Sequence, residues 1–112
     1  MTYAFQVETC RQVAYSLRLP FVDLRAYRIS PGILRKLPTR FAVRYRCVPM
    51  VYNHRRVLLV HDNPADIFFL STNPDVLDIL GLGGPEGAVV LEFALTTKAA
   101  LDESLERCVS LP

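Results

Sequence analysis

The sequence predicts an α+β domain in which short N-terminal helices pack on a small three-stranded mixed sheet, a hairpin plus a β-α-β crossover, closed by a C-terminal helix. Three observations carry this. Prolines at 20, 31 and 38 cut the first forty residues into short segments with helical spacing of apolar side chains. At Val48 the period changes to two, and after a polar break at Asn53, His54 and Arg55 an unbroken apolar run Val57-Leu58-Leu59-Val60 follows, which reads as a hairpin. A further apolar stretch, Ala88 to Leu95, is separated from that hairpin by helix-forming residues. It therefore joins the sheet as a third strand through a crossover, right-handed by the usual rule.

Taken in order, Cys10, Val13, Ala14 and Leu17 fall at i, i+3, i+4 and i+7 and predict a first helix over about Val7 to Leu17 that Pro20 ends. Phe21 to Leu24 is a short extended piece. Ser30-Pro31 is a cap and first-turn pair for a helix carrying Ile33, Leu34 and Leu37. Pro38-Thr39 opens another, with Phe41, Ala42 and Tyr45 facing inward and Arg40 and Arg44, one turn apart, facing outward. In the hairpin, Pro49 lacks a ladder donor and marks the first strand as an edge, whereas Val57 to Val60, apolar at every position, marks the second as covered on both sides.

Asn63, Pro64 and Asp66 start a helix as cap, first-turn residue and dipole partner. Ile67 to Leu70 either continue it or form a short strand, since four apolar residues do not separate the two. Asn73-Pro74 interrupts and restarts a helix through Leu80, and Gly83 to Gly87 form a loop. Thr96 or Thr97 caps the last helix, whose Leu101, Leu105 and Cys108 share a face.

A chain of 112 residues with 51% apolar and 21% charged residues is expected to form one domain over residues 1–112. The N-terminal Met1-Thr2-Tyr3-Ala4 has no basic region leading into an apolar one, so a cytoplasmic location is the default expectation. Cys10, Cys47 and Cys108, odd in number and widely spaced, predict buried thiols rather than disulfides or a zinc site. The net charge of +2 conceals a division: residues 1–56 carry eleven Lys/Arg against two acids, and residues 57–112 carry two against nine. Either the halves neutralise each other on folding, or a basic face survives to meet an acidic partner.

No catalytic residue, cofactor or metal site is expected. The glycines of residues 83–87 lack the Lys-Ser/Thr of a P-loop, Glu86 occupies the third position of a dinucleotide fingerprint, and the loop precedes a strand. No serine lies in a Gly-x-Ser-x-Gly turn. His54 reads as an exposed hairpin residue and His61 as a structural side chain with its hydrogen bonds satisfied. Asp62, Asp66, Asp75 and Asp78 read as caps and solvated faces. The arginines allow a nucleic-acid-binding alternative, which the acidic second half opposes.

Leu19-Pro20-Phe21-Val22-Asp23-Leu24, the helix with Leu34 and Leu37, the basic Arg/Tyr helix, Val48-Pro49-Met50, the hairpin and Asp62-Asn63-Pro64-Ala65-Asp66 follow one another in an order that resembles the N-terminal domain of type II secretion and type IV pilus assembly ATPases. Two features depart from that pattern: Arg18 stands where a glycine often precedes the Leu-Pro-Phe element, and Ser71 to Gly87 is longer. The resemblance implies a non-catalytic docking and regulatory module that binds the cytoplasmic part of an inner-membrane secretion or pilus component, peripheral to the membrane through that partner. Some members of the family bind cyclic di-GMP through an Arg-Leu-Gly element, for which this chain has Leu17-Arg18-Leu19-Pro20. The charge division places the partner-binding surface on Arg40, Arg44, Arg55 and Arg56, with Tyr52 as an aromatic anchor.

Overall fold

The computed structural model describes residues 2–53, 55–72 and 89–110. Helix α1 (Tyr3–Ser16) leads to two short helices, α2 (Pro31–Leu34) and α3 (Thr39–Tyr45), then β1 (Cys47–Tyr52), β2 (Arg56–His61), α4 (Pro64–Thr72), β3 (Val90–Leu95) and α5 (Lys98–Ser110). The strands form one sheet in the order β1-β2-β3, with β1 and β2 antiparallel and β2 and β3 parallel. This is the mixed sheet expected. The predicted helix through Leu80, the loop at 83–87, Ala88 and the hairpin residue His54 lie outside the described residues.

The central strand is the one whose sequence is apolar throughout. Val57, Leu58, Leu59 and Val60 are all buried, because β2 has a strand on each side and helices over it. Pro49 sits on edge strand β1, and the register slips there: Pro49 faces Leu59 and Val51 faces Leu58, so Met50 is the extra residue of a bulge. The slip also breaks the expected alternation, leaving Cys47, Val48 and Pro49 buried in succession and the next three residues half-buried.

The caps follow the sequence closely. The Ser30 hydroxyl accepts from the Ile33 N–H, Asn63 Oδ1 accepts from the Ala65 N–H, and Thr97 Oγ1 accepts from the Ala100 N–H. Leu101, Leu105 and Cys108 are buried together on one face of α5. Ile67 to Leu70 belong to α4, so the run is helical: Ile67 and Leu70, three apart, are buried, and Phe68 and Phe69 between them point outward.

Helix α1 differs from expectation at both ends. Thr2 caps it, so it starts four residues earlier than Val7, and it ends at Ser16 because Arg18 takes the left-handed conformation at φ 57. Its inward stripe is narrow. Ala14 is buried and Cys10 half-buried against a small cluster with Ile67 and Leu95, whereas Val13 and Leu17, expected inside, are exposed. Tyr3 anchors the other end: its hydroxyl donates to Asp23 at 2.5 Å and its ring lies 3.9 Å beneath the Arg25 guanidinium.

The second left-handed residue is Arg46, at φ 47 after α3. Its guanidinium reaches Asp62 at 2.8 Å and Asp102 at 2.6 Å, joining the end of α3 to the β2–α4 junction and to α5. A side chain on a left-handed residue costs roughly 1–2 kcal/mol, which the forked ion pair offsets. Replacing Arg46 by Ala should lower unfolding free energy by about 2 kcal/mol, and replacing it by Gly by about 1 kcal/mol less, because Gly loses the same ion pairs but relieves the backbone. Denaturant titration of both variants checks the order; an Ala variant at least as stable as the Gly variant contradicts the strain account.

Candidate partner-binding site

The five sequence-predicted residues do not share one environment. Arg40 and Arg44 are exposed on the outer side of α3, opposite the buried Phe41 and Ala42. Arg44 lies 5.4 Å over the Tyr45 ring, and Tyr45 packs on Phe41 at 4.7 Å. Arg55 is exposed at the hairpin turn, its backbone N–H donating to Asn53 Oδ1 at 2.8 Å. Arg56 is paired with Glu92 of β3, so its charge is already met within the fold. Tyr52 is half-buried against the main apolar cluster, its carbonyl accepting from Lys36 Nζ at 3.3 Å, and burial raises its phenol pKa. Arg44 precedes the first residue of β1 and Arg55 follows its last, so a six-residue strand, roughly 17 Å long, stands between the two groups.

The two halves neutralise each other in part. Arg25 pairs with Glu103, Arg46 with Asp62 and Asp102, and Arg56 with Glu92, each a basic residue of the first half on an acid of the second. The Arg46 hydrogen bond, and secondarily Lys98, hold the Asp102 carboxyl below its ordinary pKa. Among the described residues, Arg40 and Arg44 meet no carboxylate. Both are exposed on the outer side of α3.

The role of Arg46 is not legible in the sequence. Its partners lie 16 and 56 residues away, and no local signal marks a left-handed arginine. Phe68 and Phe69 were visible as part of an apolar run, but only the helical assignment turns them outward, at 70% and 50% exposure.

The titratable groups in the interior follow from burial. Cys47 and Cys108 are buried free thiols, both with raised pKa through desolvation. Cys10 is a correction to the expectation of three buried thiols: it is half-buried and lines a groove with Phe5, Val13, Pro64 and Leu95. Desolvation, and secondarily Asp62, pushes its pKa up to about 11. His61 is fully buried with its ring tilted against Phe93, and neither ring nitrogen has a hydrogen-bond partner among the described residues, contrary to the satisfied side chain expected. Its pKa falls to about 4 because burial penalises the cation, with Asp62 and the Tyr45 backbone opposing more weakly.

Among the described residues there is no His/Cys/Asp/Glu group suited to a metal and no helix long and apolar enough to cross a membrane.

The profile of the MshEN domain matches residues 17–111. The chain belongs to the MshEN domain family. Helix α1 lies entirely before the matched region. Solved structures share the fold: that of MshE with cdg at TM-score 0.67 and 22% identity over 88% of this chain, and that of the N-terminal domain of XpsE at TM-score 0.54 and 23% identity over 93%. This MshEN chain covers 65% and 64% of those two chains, just under two thirds of each. No protein of curated function matches it. The order of elements that resembled the secretion and pilus ATPase N-terminal domains is thus matched at the level of family and fold. In this MshEN domain, the left-handed backbone at Arg18 also explains why a glycine suits that position.

Two measurements check these environments. A maleimide reagent should label Cys10 slowly in the folded protein and leave Cys47 and Cys108 unlabelled until denaturant is added; rapid native labelling of Cys47 contradicts the burial. For His61, the unfolded chain takes up a proton below about pH 6.5 and the folded chain only below about 4. Stability is therefore complete above 6.5 and falls as pH drops through that window, by on the order of 3 kcal/mol from this group. Replacing His61 by Leu should flatten the pH dependence between 6.5 and 4; a His61→Leu profile parallel to wild type removes His61 as its cause.

Proposed function

We propose that this MshEN domain is a non-catalytic docking and regulatory module of a bacterial type II secretion or type IV pilus assembly ATPase, attaching it to the cytoplasmic part of an inner-membrane partner. Family membership and the fold shared with the XpsE N-terminal domain support the host. The observation that carries the docking role is the exposed pair Arg40 and Arg44, left without a carboxylate among the described residues while Arg25, Arg46 and Arg56 are paired. Two guanidinium groups one helical turn apart are suited to bidentate contacts with a partner's carboxylates. We place the contact there, with Arg55 as an outlying charge. Arg56 and Tyr52 serve the fold.

Reversing Arg40 and Arg44 to Glu together should weaken binding of the host machine's inner-membrane partner, assayed as its cytoplasmic domain, by about 2–3 kcal/mol. The same variant should unfold within about 0.5 kcal/mol of wild type, since exposed charges contribute little. Lost stability with unchanged affinity would mean that these arginines serve the fold instead.

A second reading rests on the fold likeness to MshE, whose structure contains cdg, cyclic di-GMP. Tyr15, Ser16, Arg18, Leu19 and Pro20 line a hollow beside the segment that corresponds to the Arg-Leu-Gly element. Arg18 offers a guanidinium to a phosphate there, although its side chain occupies space that a glycine would leave open. On this reading calorimetric titration gives saturable binding of cyclic di-GMP that Arg18→Ala weakens about tenfold; no saturable heat removes the reading.

A further inference from the structure

Helix α4 turns two aromatic rings outward. Ile67 and Leu70 supply its packing, while Phe68 is 70% exposed and Phe69 50% exposed on the same helix. Phe69 stacks on Tyr45 of α3 at 6.1 Å with an interplanar angle of 19°, and Tyr45 in turn lies between Phe41 and the Arg44 guanidinium. Through Phe69, α4 thus adjoins Tyr45 and the Arg44 guanidinium of α3. Exposed aromatics flanked by arginines have the composition of an interface centre, whereas two adjacent phenylalanines open to water are unfavourable for an isolated surface.

We infer that the docking surface runs from α3 across α4, with Phe68, Phe69 and Tyr45 as its apolar centre and Arg40 and Arg44 as its charged rim. Its occupant is a segment of a protein partner that carries both carboxylates and large apolar side chains. This rests on the docking reading above and adds to it the partner's chemistry and the part α4 plays. Charge complementarity selects the occupant: the rim offers two exposed arginines, one turn apart, that meet no carboxylate among the described residues, and the rings offer apolar area beside them. An anionic membrane surface would favour a broader basic field, and Asp66 in the first turn of α4 works against one.

The test compares wild type, Arg40→Glu/Arg44→Glu, Phe68→Ala and Phe69→Leu for affinity toward the cytoplasmic domain of the inner-membrane partner, with thermal unfolding of each variant alongside. Phe68→Ala removes the more exposed ring and should leave the unfolding temperature unchanged; Phe69→Leu keeps apolar bulk against Tyr45 and guards against loss of packing. Phe68→Ala should lower affinity about tenfold or more, and Phe69→Leu several-fold. If the arginine reversal weakens binding and both phenylalanine variants bind as wild type does, the α4 surface is refuted and the docking reading stands. If none of the variants alters affinity, the docking reading itself fails. Flotation with phosphatidylcholine/phosphatidylglycerol vesicles and sedimentation of the free protein complete the test: vesicle binding or self-association that Phe68→Ala abolishes assigns the rings to a membrane or to a second copy and overturns the inference.

Discussion

The forked contact of Arg46 with Asp62 and Asp102 is the interaction on which the arrangement of the domain depends. It joins three elements that the chain visits far apart, the end of α3, the junction between β2 and α4, and the first half of α5. The guanidinium is about one third exposed, whereas the Asp62 side chain is nearly buried at 7%. Removing the arginine would leave a desolvated carboxylate, which explains why a residue with a left-handed backbone is tolerated at this position. Because α3 is only seven residues long, its own hydrogen bonds are too few to hold it, and its direction is set by this contact together with Phe41 and Ala42 in the core. That direction turns Arg40 and Arg44 outward.

The same economy governs the rest of the charge. An arginine-rich first half and an acidic second half draw the N-terminal helices onto the sheet and α5 through a few defined contacts: Arg25 on Glu103, Arg46 on Asp62 and Asp102, Arg56 on Glu92. The exposed pairs Arg25–Glu103 and Arg56–Glu92 add little stability each, whereas the nearly buried Asp62 sets the Arg46 contact apart. Together these contacts occupy Arg25, Arg46 and Arg56, whereas Arg40 and Arg44 meet no carboxylate among the described residues. The apolar core supplies the stability, centred on β2, where Val57, Leu59 and Val60 are fully buried.

Where local chemistry decides structure, the sequence was informative. Ser30 and Asn63 cap the helices they were expected to cap, Thr97 is the one of the two candidate threonines that caps the last helix, Pro49 marks the edge strand, and the unbroken run Val57 to Val60 is the central strand. Where tertiary packing decides, it was not. Val13 and Leu17 have helical spacing but lie outside, because α1 touches the domain through a narrower stripe than its apolar content suggests. Ile67 to Leu70 had no period to read, and the helix resolves the ambiguity by burying two residues and exposing two. The basic helix was visible as a candidate site. That Arg56 is neutralised by Glu92 depends on the parallel register of β2 and β3, and the sequence does not specify which residues face each other across a crossover.

Among the described residues, α3 and α4 present exposed arginines and aromatic rings, and we propose that this face receives the partner. Amide hydrogen exchange with and without the cytoplasmic domain of the inner-membrane partner tests it directly. Bound protein should show new protection over residues 39–45 and 64–72, with the hairpin turn and α1 exchanging as in the free protein. Protection confined to the hairpin turn, to α1 or to the hollow at Arg18, with α3 and α4 unchanged, would contradict the account.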